Sequence, residues 1–82
     1  MAFVYILQCS DGTFYTGMAV NLERRLQQHN NGRGAKYTRG RRPVELVYWE
    51  EKENISSALK REKQIQKMTR NRKIQLMTAL KK

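Results

Sequence analysis

One carboxylate stands where an apolar residue is expected. Between positions 55 and 68 the apolar residues Ile55, Ala58, Leu59, Ile65 and Met68 recur at helical spacing. Steps of three and four from Leu59 pass through Glu62, so Glu62 lies on the stripe that should face the core. An ionised carboxylate there needs a positive partner, a metal ion or a cleft open to water. An arginine at a helix–sheet seam would satisfy it as well as a metal would. Glu45, Glu50, Glu51 and Glu53 read as exposed by contrast.

A second group lies on an earlier helix. Arg25 and His29 are four residues apart and share a face, at the edge of the stripe that Leu22 and Leu26 mark. A guanidinium can clamp two phosphate oxygens, and an imidazole can relay a proton near neutral pH. Arg24 competes with Arg25 for this role, and periodicity does not choose between them. Two tyrosines, Tyr5 and Tyr15, join the group if the chain around them folds as a hairpin. His29 is the only histidine and Cys9 the only cysteine, so neither a histidine-rich metal site nor a thiolate zinc site can be assembled. Cys9 reads as a small buried apolar group. No phosphate-binding G-x-x-x-x-G-K-[ST] stretch occurs.

The elements that must position these residues follow from local signals. Residues 3–8 and 13–18 are short runs of β-formers, read as strands. Ser10-Asp11-Gly12 joins them as a three-residue hairpin loop with glycine where a left-handed conformation is needed. Cys9 then pairs with Thr13, Leu7 with Tyr15 and Tyr5 with Gly17. That register puts Tyr5 and Tyr15 on one face as diagonal neighbours. Asn21 caps a helix that runs to about Asn30, where Asn31-Gly32 ends it. Residues 31–43 read as a glycine-punctuated basic loop and 44–50 as a third strand. Asn54 or Ser56 opens a second helix through about Met68. Thr69 caps a third through about Leu80, with Ile74, Met77 and Leu80 as its apolar stripe. The expected order is β-β-α-β-α-α over one domain, 1–82. This is an α/β (α+β) fold in which three helices flank a small, mainly antiparallel three-stranded sheet.

Composition narrows the partners. Lys and Arg number 17 against 7 Asp and Glu, a net charge of +10, and the charge is clustered. A polyanion is the expected partner, and nucleic acid fits better than an anionic membrane because no long stretch pairs a basic with a strongly apolar face. In the loop, Arg33, Lys36, Arg39, Arg41 and Arg42 surround Tyr37. Such cations meet phosphates, and such an aromatic can stack on a base. The N-terminal run lacks a basic leader and is too short to span a membrane, so the expected location is the cytoplasm.

Taken together, these motifs resemble the GIY-YIG nuclease superfamily, its small stand-alone bacterial members in particular. The hairpin motifs read V-Y-I at 4–6 and Y-T-G at 15–17. The helix signature reads N-L-E-R-R-L-Q-Q-H from Asn21 to His29, and Glu62 stands in A-L-K-R-E-K-Q-I. The resemblance selects Arg25 over Arg24. It implies hydrolysis of phosphodiester bonds, in DNA more than in RNA, with one Mg²⁺ or Mn²⁺ on Glu62. Tyr5 is then the candidate general base, although Tyr15 could exchange roles with it, and His29 orients. A protein partner that supplies specificity is compatible with so small a domain. Phe3 stands where the family has its first glycine, on the face of Tyr5.

Overall fold

The computed structural model describes residues 1–80, the side chain of Leu80 excepted. Strands β1 (Ala2–Gln8), β2 (Phe14–Ala19) and β3 (Glu45–Lys52) form one antiparallel sheet in the order β2-β1-β3. Helix α1 (Leu22–Asn30) follows β2, and α3 (Ile55–Gln66) and α4 (Arg70–Leu80) follow β3. The order is the expected one, with a single-turn helix added: α2 (Lys36–Arg39) sits inside the segment read as a loop. Four residues are too few for a periodic pattern to announce them.

The hairpin closes as its loop predicts. The Cys9 N–H donates to the Thr13 carbonyl at 2.8 Å, the Gly12 N–H donates to the Cys9 carbonyl at 2.9 Å, and Gly12 has φ +84°. Leu7 faces Tyr15, and Tyr5 faces Gly17. Asn21 and Asn54 cap α1 and α3 by accepting from the N–H groups of Arg24 and Ser57, each worth about 1 kcal/mol. Thr69 accepts from the Arg72 N–H and caps α4.

Alternation along β1 splits the core between the two sheet faces. Ala2, Val4 and Ile6 pack with Tyr48 against Ala58 and Ile65 of α3, joined by Met68, Leu76 and Met77. Tyr5, Leu7 and Cys9 pack on the other face with Ala19 and Val44, under Leu22 and Leu26 of α1. Two expected stripes turn out rotated. On α3 the buried line is Ala58–Ile65, and Leu59 and Ile55 stay 43% and 51% exposed. On α4 the inward pair is Leu76 and Met77, whereas Ile74 is exposed. Adjacent Leu76 and Met77 present two large side chains to Met68, more apolar area than Ile74 could bury. The expected position of Leu80 on that stripe lies outside the described side chains. Among the described residues no helix is long and apolar enough to cross a membrane.

Candidate active site

The hairpin sets two phenols side by side on one sheet face. The rings of Tyr5 and Tyr15 have centroids 6.5 Å apart. Gly17 makes room for them, since a Cβ there would lie 2.5 Å from the Tyr5 hydroxyl oxygen and 3.0 Å from Tyr15 Cε2. The glycine is therefore demanded by packing, not by its own backbone angles.

Behind the phenols lies His29, in the last turn of α1. Its spacing with Arg25 suggests a cleft margin; instead it is wholly buried. The segment leading into α2 folds over it so closely that a Cβ on Gly34 would lie 2.7 Å from His29 Cγ. Helical periodicity could not foresee a cover supplied by another segment. His29 Nε2 lies 2.9 Å from the Tyr5 hydroxyl, and Nδ1 lies 2.8 Å from Thr38 Oγ1. Burial, helped by the charge of Arg25, pushes the imidazole down to about 4. It is neutral at physiological pH.

Both phenols are held protonated. Burial pushes Tyr5 up to about 12; Arg25 pulls the other way, and the negative charges of Tyr15 and Glu62 add to the rise. Tyr15 is raised by burial too, opposed by Arg25 and reinforced by Glu62. Arg25 and Glu62 thus act on the same two hydroxyls. Arg25 is half-buried and donates from Nη1 to Gln28 Oε1 at 3.1 Å. Among the described residues no carboxylate pairs with it. Arg24 is exposed. Both arginines line a 320 Å³ groove with Met18, Ala19, Val20, Asn21 and Gln28. Phe3 is not among these residues; it lies opposite Ala19 in the register, half-buried beside the phenols' row.

Glu62 is half-buried on α3, which packs against β1 and β2. Burial raises its carboxyl above the usual range, and the charge of Lys63 only partly offsets this. Its hydrogen bond is a 3.3 Å contact from Gln66 Nε2. No Lys or Arg among the described residues lies within ion-pair distance of it. The seam ion pair that the sequence allowed for Glu62 does exist, but it belongs to Glu50. Glu50 was expected to be exposed. It accepts from Arg61 Nε and Nη2 at 2.9 Å each, from Lys52 Nζ at 3.1 Å, and from the Tyr48 hydroxyl.

The donor set suits a hard cation. Among the described residues no three His, Cys, Asp or Glu side chains come together, so there is no cage for a fully protein-ligated ion. Mg²⁺ and Mn²⁺ keep most of their waters and need only one or two carboxylates plus substrate phosphate. Glu62, half-buried with no cationic partner, meets that requirement.

The basic loop divides into two kinds of cation. Arg41 donates to Asp11 Oδ2 at 3.0 Å and to the Tyr37 carbonyl at 2.7 Å, with its guanidinium 4.1 Å from the Tyr37 ring centroid. Arg42 donates to the Arg39 and Asn30 carbonyls. Tyr37 stacks on Tyr15, centroids 5.9 Å apart, so it is engaged within the chain where a base contact was expected. These three residues tie the loop to the hairpin, because loop carbonyls without ladder partners need side-chain donors. Arg33, Lys36 and Arg39 are exposed and face solvent. Thr38, Gln28 and Gly34, which complete the site, carry no sequence signal of their own.

The sequence matches the family model described as the GIY-YIG catalytic domain over residues 1–75. It is 59% identical to a UPF0213 protein of Syntrophus aciditrophicus over 92% of this chain and 87% of the relative. It is 57% identical to one of Clostridium perfringens over 96% and 85%. Solution NMR structures of a UPF0213 protein from Bacillus halodurans and of a protein from E. faecalis superpose with TM-scores of 0.62 and 0.63. Their identities are 40% and 42%, covering 96% and 95% of this chain and 85% and 83% of theirs.

Proposed function

Because the chain belongs to the GIY-YIG catalytic domain family, we propose that it hydrolyses phosphodiester bonds in nucleic acid, with one divalent ion on Glu62. The observation that carries the reading is a pair of half-buried opposite charges, Arg25 and Glu62, that are left unpaired beside the same two phenols. An anion and a cation from outside would complete both: a phosphate on Arg25 and a metal ion on Glu62.

The ion supplies charge neutralisation at the phosphate and the leaving oxygen. Arg25, held in place by Gln28, stabilises negative charge that grows on the phosphate oxygens. Tyr5 acts as general base through His29. With Tyr5 at about 12 and His29 at about 4, moving the phenol proton unaided would cost roughly 11 kcal/mol. A free tyrosinate is therefore not the resting state. The transfer accompanies attack: the Tyr5 oxygen takes a proton from water while its own proton passes to His29 Nε2. The water oxygen bonds to phosphorus as the bond to the leaving oxygen breaks. Tyr15 lines the approach and orients the water. Arg33, Lys36 and Arg39 bind flanking phosphates.

DNA is the favoured substrate. It lacks the 2′-hydroxyl that RNA can use as an internal nucleophile, so its cleavage needs the water activation this site is arranged to provide. The test is incubation of the protein with linear, nicked and branched DNA and with RNA, in Mg²⁺, in Mn²⁺ and with chelator. Metal-dependent cleavage of at least one DNA is expected. Salt-sensitive binding with no cleavage of any substrate would make the chain a nucleic-acid-binding module instead.

A further inference from the structure

We propose that Thr38 is a positioning residue that fixes the tautomer of His29 and thereby aims the Tyr5 O–H at His29 Nε2. The proposal rests on the hydrolytic reading above for its consequence, but not for its geometry.

Thr38 is fully buried. A hydroxyl has one proton, and Thr38 donates it to the Ala35 carbonyl at 2.9 Å. Toward His29 Nδ1, 2.8 Å away, Thr38 can then only accept, so Nδ1 must bring the hydrogen. A neutral imidazole carries one N–H. Nε2 is consequently bare, and the Tyr5 hydroxyl at 2.9 Å donates to it. Every donor in the chain Tyr5, His29, Thr38, Ala35 finds an acceptor.

The reversed chain does not close. If Thr38 donated to Nδ1, the Nε2–H would donate to the Tyr5 oxygen. The Tyr5 hydrogen would then need another acceptor, and none is found for it among the described residues, in a side chain only 2% exposed. A buried donor left unmet is disfavoured. The α2 turn holds the first arrangement, because Ala35 and Thr38 are its N-cap and third residue. Gly34 lets that turn close on the imidazole: a side chain there would collide with His29 Cγ and Cα. In the reversed tautomer Nε2 has no lone pair for the phenol proton, and Tyr5 loses its relay.

The experiment is ¹H–¹⁵N correlation NMR of the histidine ring in the whole protein, alongside single-turnover cleavage. The wild type should show Nδ1–H and bare Nε2. Thr38→Val, which keeps the shape and removes the hydroxyl, should shift His29 toward Nε2–H. It should also slow cleavage at least about tenfold with nucleic-acid affinity unchanged. Thr38→Ser should restore the wild-type tautomer and most of the rate. Wild-type protein with Nε2–H overturns the proposal, even if Thr38→Val fails to fold. So does Thr38→Val with an unshifted tautomer, or with a shifted tautomer and an unchanged rate. A wild type that shows Nδ1–H but cleaves nothing supports the tautomer assignment and sinks the hydrolytic reading alone.

Discussion

Glu50 and Glu62 are two acids served by one helix, and they are treated in opposite ways. Glu50, on β3, receives Arg61 of α3 in a forked contact, together with Lys52 and the Tyr48 hydroxyl. Burial would raise its carboxyl, but the hydrogen bonds from Arg61, Tyr48 and Lys52 win and hold it at about 2. Glu62, the next residue after Arg61, has no such partner, and burial leaves its carboxyl raised. In a chain with ten more cations than anions, a half-buried acid without a cation is not a shortage of partners. Glu50 and Arg61 complete each other and serve stability. Glu62 and Arg25 are kept from each other and await ligands of opposite sign.

That contrast can be broken from either side. Glu50→Gln should destabilise the fold by about 2–3 kcal/mol, the cost of leaving the half-buried Arg61 without its acid, discounted for partial exposure. The folded-state value of Glu50 lies below its ordinary one. Its contribution is therefore fully present above pH 4.5 and lost as pH falls toward about 2. Urea midpoints measured across that window should fall in the wild type and lose most of this slope in the variant; cleavage per folded molecule should hold. A slower reaction with unchanged stability would reverse the roles given to the two acids.

Arg25→Ala should lower the cleavage rate at least about tenfold with little loss of stability, whereas Arg24→Ala, at an exposed position, should cost far less. Equal losses would show that the groove, not the phosphate clamp, is what matters. The smallest effect sharpens the comparison most. Gln66→Lys gives Glu62 the cation it lacks, one helical turn away. Stability should rise by about 0.3–0.5 kcal/mol, and the Mg²⁺ concentration for half-maximal cleavage should increase. An unaltered metal requirement would mean that Glu62 does not hold the ion.

The hairpin was legible because its register depends on three local residues, Ser10, Asp11 and Gly12. Glu62 was legible as a charge out of place, although the line it interrupts runs through Ala58 and Ile65, not Leu59. The parts that stayed hidden join segments far apart in the chain. Arg41 meets Asp11 thirty residues away, and Arg61 meets Glu50 across a helix–strand junction. The burial of His29 is decided by how Gly34 and Thr38 close over it. Periodicity reports which face of an element is apolar; it does not report what another segment lays on that face. Hence the basic loop looked uniform, while Arg41 and Arg42 are fastened inward and Arg33, Lys36 and Arg39 face solvent.

The most direct measurement sets Glu62→Gln beside the wild type on one DNA substrate, with cleavage followed in Mg²⁺ and affinity measured in the same samples. Loss of at least about a hundredfold in rate, with affinity equal or higher, is the result expected of a lone metal-holding carboxylate. A variant that cleaves as fast as the wild type would contradict that role and leave the unpaired acid beside the phenols without a purpose.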